Sequence, residues 1–310
     1  MTAAETAGAE FPEPLDLRAR LAAVAVPRDV VRVAGPDALT YLQGQLSQDV
    51  VDDFDVGATT WSFVLQPTGK VDSWARVTRT AGDEVLLDVD GGHGEALIAR
   101  LRRFLLRTKA EVDPLDWACV AVRGPGAAAA ARDAAAEANA AIAVPAGWPG
   151  VDGGDLLGPD VRQPVGLPGA DLEAYESLRI RSGVPALGAE LTEKTIPAEA
   201  GQWLIDASVS FTKGCFTGQE LVARIDSRGG NVPRRLHGLV VGEGERPPAA
   251  APVVVDGAEV GRVTSAARAP GGGAVALAYV GRGVTPPAAV EIATPAGRTP
   301  AALVELPIAD

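Results

Sequence analysis

Apolar residues recur along the chain with two different periods, and the change of period marks its organisation. From Leu21 to Val33 the sequence is dense in Val and Ala, as a buried strand would be. Gly35-Pro36-Asp37 then opens a helix with Leu39, Leu42 and Leu46 on one face. Trp61 to Leu65 and Val71 to Val77 read as strands around the turn Gln66-Pro67-Thr68-Gly69, and Glu84 to Val89 as a third. A longer helix is predicted next, with Leu97, Leu101, Phe104 and Leu105 as its apolar stripe. Its other face and end hold Arg100, Arg102, Arg103, Arg107 and Lys109. Trp117 to Val122 is a strand, and Gly124 to Ala143 is alanine-rich and predicted helical, weakly anchored because Ala buries little surface. Gly147 to Gly169 is dense in Gly and Pro around one short strand, Leu172 to Arg181 is a helix, and the stretch from there to Ser210 has no clear period. From Arg235 onward short strands alternate with Gly and Pro turns, the rhythm of a small β-barrel or sandwich. Residues 1–20 read as a flexible lead-in.

Composition narrows the function. With 310 residues, 47% apolar and 22% charged, the chain can bury a substantial core and is too apolar for disorder. A net charge of −12 disfavours a general phosphate-backbone or anionic-membrane binder, so any anion site must be local. Two cysteines, Cys119 and Cys215, exclude a disulfide framework and an all-cysteine cluster or zinc cage within one chain. Only His93 and His237 join them, and no spaced carboxylate motif completes a metal site. The first residues carry acids and prolines where a secretory peptide needs a basic start, and no apolar run approaches the ~20 residues that span a bilayer. The expectation is a cytoplasmic protein with no metal and no membrane contact. Of 28 basic residues only Lys70, Lys109, Lys194 and Lys213 are lysines, which hints that a compact ammonium suits those positions better than a guanidinium.

The densest chemistry lies in Lys213-Gly214-Cys215-Phe216-Thr217-Gly218-Gln219-Glu220. Thr217 and Glu220 have the spacing of a capping box, predicting a helix from Gly218 to about Asp226 with Leu221 and Val222 facing inward. Cys215 then sits just before a helix N-terminus with Lys213 close by, and both influences favour the thiolate. A free cysteine is also a small hydrophobe, and Cys119, in Trp-Ala-Cys-Val-Ala-Val, reads as core. Arg224, Arg228, Arg234 and Arg235 form a local basic patch, either a solvated face or a contact for RNA phosphate.

The segment KGCFTGQE resembles the K-G-C-(Tyr/Phe)-x-G-Q-E signature of the YgfZ family, folate-binding relatives of the aminomethyltransferase (T-protein) of the glycine cleavage system. GPDALTYLQGQLSQDV, QPTGKV, LRRFLLRTKAEV and YESLRIRSGVPALGAELTEKTIPAEAG are similar to further family stretches in the same order, from about residue 25 to the end. The resemblance implies an α+β fold: a GcvT-like, three-lobed ring with a folate-binding region of two interleaved lobes over 21–235 and a C-terminal β-barrel over 236–310. It implies tetrahydrofolate as ligand, with Tyr175 stacking on a flat ring and Arg179, one helical turn on, meeting an anion. It also implies that the second family aromatic is replaced here by Arg28. The T-protein's acidic pair after a Gly-Gly turn falls at Ser73 and Trp74, with Asp72 one position off. Its pterin-recognising carboxylate, in an L-R-L-E-x-G stretch, falls at Arg181.

These replacements argue against aminomethyl transfer by that mechanism, because a buried donor left unpaired costs about 1–3 kcal/mol. The leading expectation is therefore an accessory factor for iron–sulfur client proteins, indirectly serving tRNA modification. Cys215 would be its working thiol, Lys213 and the helix amides would steady the thiolate, and Gln219, Glu220 and Arg224 would shape the loop. The alternatives are a tetrahydrofolate-dependent one-carbon transferase or demethylase and an RNA-binding module using Arg228, Arg234 and Arg235.

Overall fold

Pro27 decides how the chain begins. It has no N–H to give to a ladder, and the single strand expected over Leu21 to Val33 divides there into β1 (Ala22–Val26) and β2 (Arg28–Ala34), which enter different sheets. The computed structural model describes residues 13–242, 246–295 and 297–309. After β2 come α1 (Ala38–Gln45), β3 (Thr59–Leu65), β4 (Val71–Ala81), β5 (Glu84–Asp90), α2 (Gly94–Arg102), β6 (Glu111–Leu115) and β7 (Ala118–Arg123). Then follow α3 (Ala127–Ala134), β8 (Ile142–Pro145), β9 (Gly153–Gly158), α4 (Leu172–Arg181), α5 (Gln202–Ser208) and α6 (Gln219–Asp226). The C-terminal strands are β10 (Arg234–Val241), β11 (Pro252–Val255), β12 (Ala258–Arg268), β13 (Ala274–Gly281), β14 (Ala288–Thr294) and β15 (Gly297–Val304).

Strands β3-β4-β5-β2-β6 form a five-stranded antiparallel sheet and β1-β7-β9-β8 a four-stranded one, while β10 to β15 close into a barrel. This is the α+β architecture with a terminal barrel that the sequence leads one to expect. Period-two alternation sets the layers. In the four-stranded sheet Val24, Val26, Cys119 and Ala121 face the main core shared with the five-stranded sheet, whereas Ala23, Val120 and Val122 pack on Ala127 and Ala131 of α3. Cys119 is buried and its thiol pKa is raised by that burial, the behaviour of a core residue.

Three expectations change. Helix α2 stops at Arg102, so Phe104 leaves the apolar stripe and stands 42% exposed, while Leu97, Ile98 and Leu101 carry the packing. The alanine-rich stretch is helical only over α3, of which Ala127 and Ala131 reach the core; Asn139 turns the chain at φ 57°, and β8 follows. Residues 13–20 of the predicted lead-in are packed rather than loose. Leu17 is buried, Arg18 donates to the carbonyls of Ile308 and Arg181, and Asp16 pairs with Arg181 at 2.7 Å. The rest of that lead-in, residues 1–12, lies outside the described residues. Among the described residues no helix is long and apolar enough to cross a membrane.

A buried ladder of alternating charge joins the two sheets. Arg28 on β2 and Arg76 on β4 both bond Asp88 on β5, and Arg76 Nη1 reaches on to Asp155 on β9 at 2.5 Å. Asp155 takes Arg123 Nη1 from β7 at 2.6 Å, and Arg28 Nη1 holds Asp90 at 2.5 Å. Burial alone would push the Asp155 carboxyl up, but Arg123 and Arg76 outweigh it and hold the group well below the ordinary carboxylate range.

Breaking such a buried pair by removing one partner costs about 3–5 kcal/mol, because a desolvated charge is left uncompensated. Asp155→Asn should therefore lower unfolding free energy by about that amount in urea titrations; a loss below ~1 kcal/mol, the value of an exposed pair, would show that the ladder does not clamp the sheets. Since the native carboxyl stays ionised below its ordinary value, wild type should keep this contribution above that value and lose it as pH falls beneath it.

Candidate functional site

Above the ladder lies a cavity of about 300 Å³ whose walls come from both sheets and from α4. Trp61 on β3 and Trp74 on β4 stack at 4.0 Å between centroids and 16° between planes. Their register explains the stack: Trp61 lies opposite Arg76 and Phe63 opposite Trp74, so the two indoles are diagonal neighbours on one face of a hairpin. Each indole N–H is fixed, Trp61 on the Ala146 carbonyl at 3.1 Å and Trp74 on Ser208 Oγ at 2.9 Å. Opposite them Trp148 and Tyr175 pack at 5.2 Å, with the Arg123 guanidinium 4.6 Å from the Trp148 ring centroid. Burial raises the Tyr175 hydroxyl pKa, so it stays a neutral phenol.

Helix α4 starts at Asp171, whose side chain accepts the Ala174 N–H at 2.8 Å, and this cap sets Tyr175, Glu176 and Arg179 along the cavity. The structure thus brings Tyr175 and Arg179 to one cavity. The Arg179 guanidinium is not open to an anion, however: it donates to both oxygens of Glu176, to the Val184 carbonyl at 2.7 Å and to buried Glu190 at 3.2 Å. The carboxylates lining the cavity are both engaged, Glu176 by Arg179 and Asp90 by Arg28, with the Leu187 N–H also on Asp90. Aromatic walls for stacking and carboxylate oxygens for accepting N–H groups fit a flat, donor-bearing heterocycle of the pterin kind.

Sequence reasoning placed a charge reversal at Arg181 in the recognition of such a ring. The structure corrects this: Arg181 lies off the cavity, paired with Asp16, so it removes no acceptor there. Asp72 is likewise elsewhere, bonded to Arg100 at 2.9 Å, whereas Trp74 does line the cavity. Arg28 also lines it, as a ladder member.

The cysteine segment packs at the C-terminal end of α1 and on the β3–β4 turn. Cys215 is exposed. The capping box does not form: the helix N-cap is Gly218, at φ 83° and without a side-chain cap, and it is the Gln219 side chain that accepts the Phe216 N–H at 3.0 Å. Contact with the turn requires the glycine, since a Cβ on Gly218 would lie 2.5 Å from the Gln66 carbonyl oxygen. Val222 is buried and Leu221 partly so. Lys213 turns to the end of α1, where its ammonium donates to the Leu46 and Gln48 carbonyls at 2.9 and 2.7 Å and lies 5.5 Å from the Phe216 ring. Its charge anchors the loop.

Glu220, Arg224 and Arg228 are exposed, while Arg235 donates to the Gly230 carbonyl and Arg234 pairs with Glu199 and lies over Tyr279. The expected basic patch is therefore partly neutralised. Sequence reading missed Trp61, Trp148 and Glu176; the available signal was indole side chains in a chain only 5% aromatic, two of them on strands flanking one turn.

Residues 234–310 match the glycine cleavage T-protein C-terminal barrel domain. Over 307 aligned residues, 89% of this chain, the sequence is 30% identical to an aminomethyltransferase of Thermus thermophilus, of which 83% is covered. It is also 28% identical over 237 residues to the mitochondrial iron-sulfur cluster assembly factor IBA57 homolog of Chaetomium globosum, covering 65% of this chain and 52% of that protein. In fold it is similar to the crystal structure of glycine cleavage system aminomethyltransferase T from Bartonella henselae, with a TM-score of 0.75 over 95% of this chain and 88% of that one, at 20% identity.

The anchor has a titration consequence. Burial lowers the Lys213 pKa to about 8 against the opposing pull of Asp49, while the unfolded chain restores about 10.5. Between those values the unfolded state binds the extra proton, so stability should rise with pH across that window. Urea unfolding of wild type and Lys213→Met at about pH 7.5 and 9.5 should show a steeper rise in wild type; equal slopes would place the ammonium in water.

Proposed function

The chain belongs to the aminomethyltransferase family, and within it we propose a folate-binding accessory factor of the YgfZ type, serving iron–sulfur client proteins and through them tRNA modification. Trp74 is the observation that carries this reading. An indole stands in the cavity wall at the segment where the T-protein resemblance calls for an acidic pair, and its N–H is already held by Ser208. The remaining cavity carboxylates, Asp90 and Glu176, are bound by guanidinium groups. The cavity is suited to holding a ring and poorly suited to moving protons on it.

Tetrahydrofolate would be held by Tyr175 and Trp148 through stacking, with Glu176 and Asp90 accepting from ring N–H groups and Arg28 and Arg179 fixing those carboxylates. Bound there, it would supply a carrier of one-carbon units. The second half of the reading is Cys215, exposed on the KGCFTGQE loop and free for transient thiol exchange or sulfur handling with a client. The likeness to a protein named as an iron-sulfur cluster assembly factor supports the client class.

Calorimetry with tetrahydrofolate should show binding that Tyr175→Ala weakens about tenfold, the ~1.4 kcal/mol expected of a lost aromatic contact; absence of heat in wild type would remove folate from the proposal. In a strain lacking the gene, Cys119→Ser should restore iron–sulfur enzyme activity and Cys215→Ser should not. Equal rescue by both would remove the thiol, and turnover of an aminomethyl donor with tetrahydrofolate would favour a transferase instead.

A further inference from the structure

The cavity and the cysteine loop are joined by hydrogen bonds that are buried from Trp74 to Ser47 and part-buried at Lys213, linked through the backbone of Ser208 and of residues 46–48. Trp74 lines the cavity and donates its indole N–H to Ser208 Oγ, at the last residue of α5. The Ser208 carbonyl accepts Ser47 Oγ–H at 2.6 Å. Ser47 is fully buried, and besides this bond it accepts the Phe63 N–H on Oγ, donates its own N–H to the Phe63 carbonyl and takes the Ser210 N–H on its carbonyl. Its two chain neighbours, Leu46 and Gln48, offer the carbonyls that hold the Lys213 ammonium. Ser47 therefore holds Ser208 and Ser210 at the start of the stretch that leads from the cavity wall to the cysteine loop, while its chain neighbours hold Lys213 at the other end.

We propose that occupancy of the cavity is transmitted through Ser208, Ser47 and Lys213 to set how accessible Cys215 is, with Ser47 as the positioning residue. The inference rests on the folate reading of the cavity. A coupling of this kind needs an element with two arrangements that the ligand distinguishes, and Lys213 provides it. Anchored, the ammonium gains two carbonyl bonds but gives up much of its hydration, as its lowered proton affinity shows. Released, it recovers water and the loop is tied down only by its backbone. The loop has room to move: a Cβ on Gly214 would meet nothing within 4 Å. A flat ring packed against the indole wall adds a constraint to Trp74, whose N–H Ser208 already holds, and so reinforces the Ser208 and Ser47 bonds, which favours the anchored loop. The bound ring should therefore slow attack on Cys215 without touching it.

The test is the rate of Cys215 alkylation by iodoacetamide, read by mass spectrometry, with and without saturating tetrahydrofolate. In wild type the ligand should slow alkylation at least threefold. In Ser47→Ala tetrahydrofolate should bind within threefold of the wild-type affinity, yet alkylation should be ligand-independent. Lys213→Met cuts the same path at its far end and should give the same ligand independence, which keeps the test available if Ser47→Ala folds poorly. A wild-type rate that does not fall with folate bound overturns the coupling, and so does an equally large fall in both variants, the mark of direct shielding. No folate binding by calorimetry overturns the folate reading and this inference together, whereas binding without altered alkylation overturns only this inference.

Discussion

Arg76 holds two carboxylates from two sheets at once, and the arrangement of the molecule around its cavity depends on that contact. Five charged groups in alternating sign run Arg28, Asp88, Arg76, Asp155, Arg123 across strands from both sheets. Every one is desolvated, so the ladder is worth little net stability compared with well-packed hydrocarbon. What it confers is registration. A guanidinium that must meet carboxylates on β5 and β9 permits one relative placement of the two sheets, and a slip of either leaves a buried charge unpaired. Apolar packing alone tolerates such slips far better.

That registration builds the cavity. The Arg28 and Arg76 guanidinium carbons lie 5.8 and 5.6 Å from the Trp61 ring centroid, so the cations that lock the sheets also border the indole stack. Asp90, at the end of the ladder, uses its second oxygen to hold Leu187 and thereby the loop that forms the cavity lip. A few residues on, Glu190 is completely buried between Arg179, the Ala186 N–H and Ser265 of the barrel. Cavity, lip and barrel are thus tied into one polar network, and the same network engages both lining carboxylates with guanidinium groups. The ion pairs that lock the structure are the same ones that engage both lining carboxylates.

Some of this was legible in the sequence for clear reasons. Helix α4 was readable to its ends because Asp171 supplies a local cap, and the barrel because each short strand is bounded by its own turn residues. Local signals failed where tertiary contacts decide. Thr217 and Glu220 have capping-box spacing, yet the chain must bring Gly218 against the Gln66 carbonyl, and that approach moves the cap to the glycine. Arg181 aligns with a binding position in the resemblance but faces Asp16, a residue from the far end of the chain. The ladder was invisible because its members are spread from residue 28 to residue 155, and no period connects them.

Lys213 shows how a correct position can carry a different role from the one its neighbourhood implies. A lysine two residues from a cysteine reads as a charge partner for thiolate, yet here the ammonium serves the end of a helix. Helix α1 ends with carbonyls that have no intrahelical partner, and a cation there is favoured by both hydrogen bonding and the helix dipole. An arginine would bring a wider, planar head to a site shaped by two carbonyls only two residues apart in the chain, whereas an ammonium can aim separate protons at both. The anchor fixes the stem of the loop and leaves its tip, with Gly214 and Cys215, in solvent. A thiol that must meet a sulfur or metal centre on another protein benefits from this combination: a defined place on the surface, and freedom over the last few ångströms of approach.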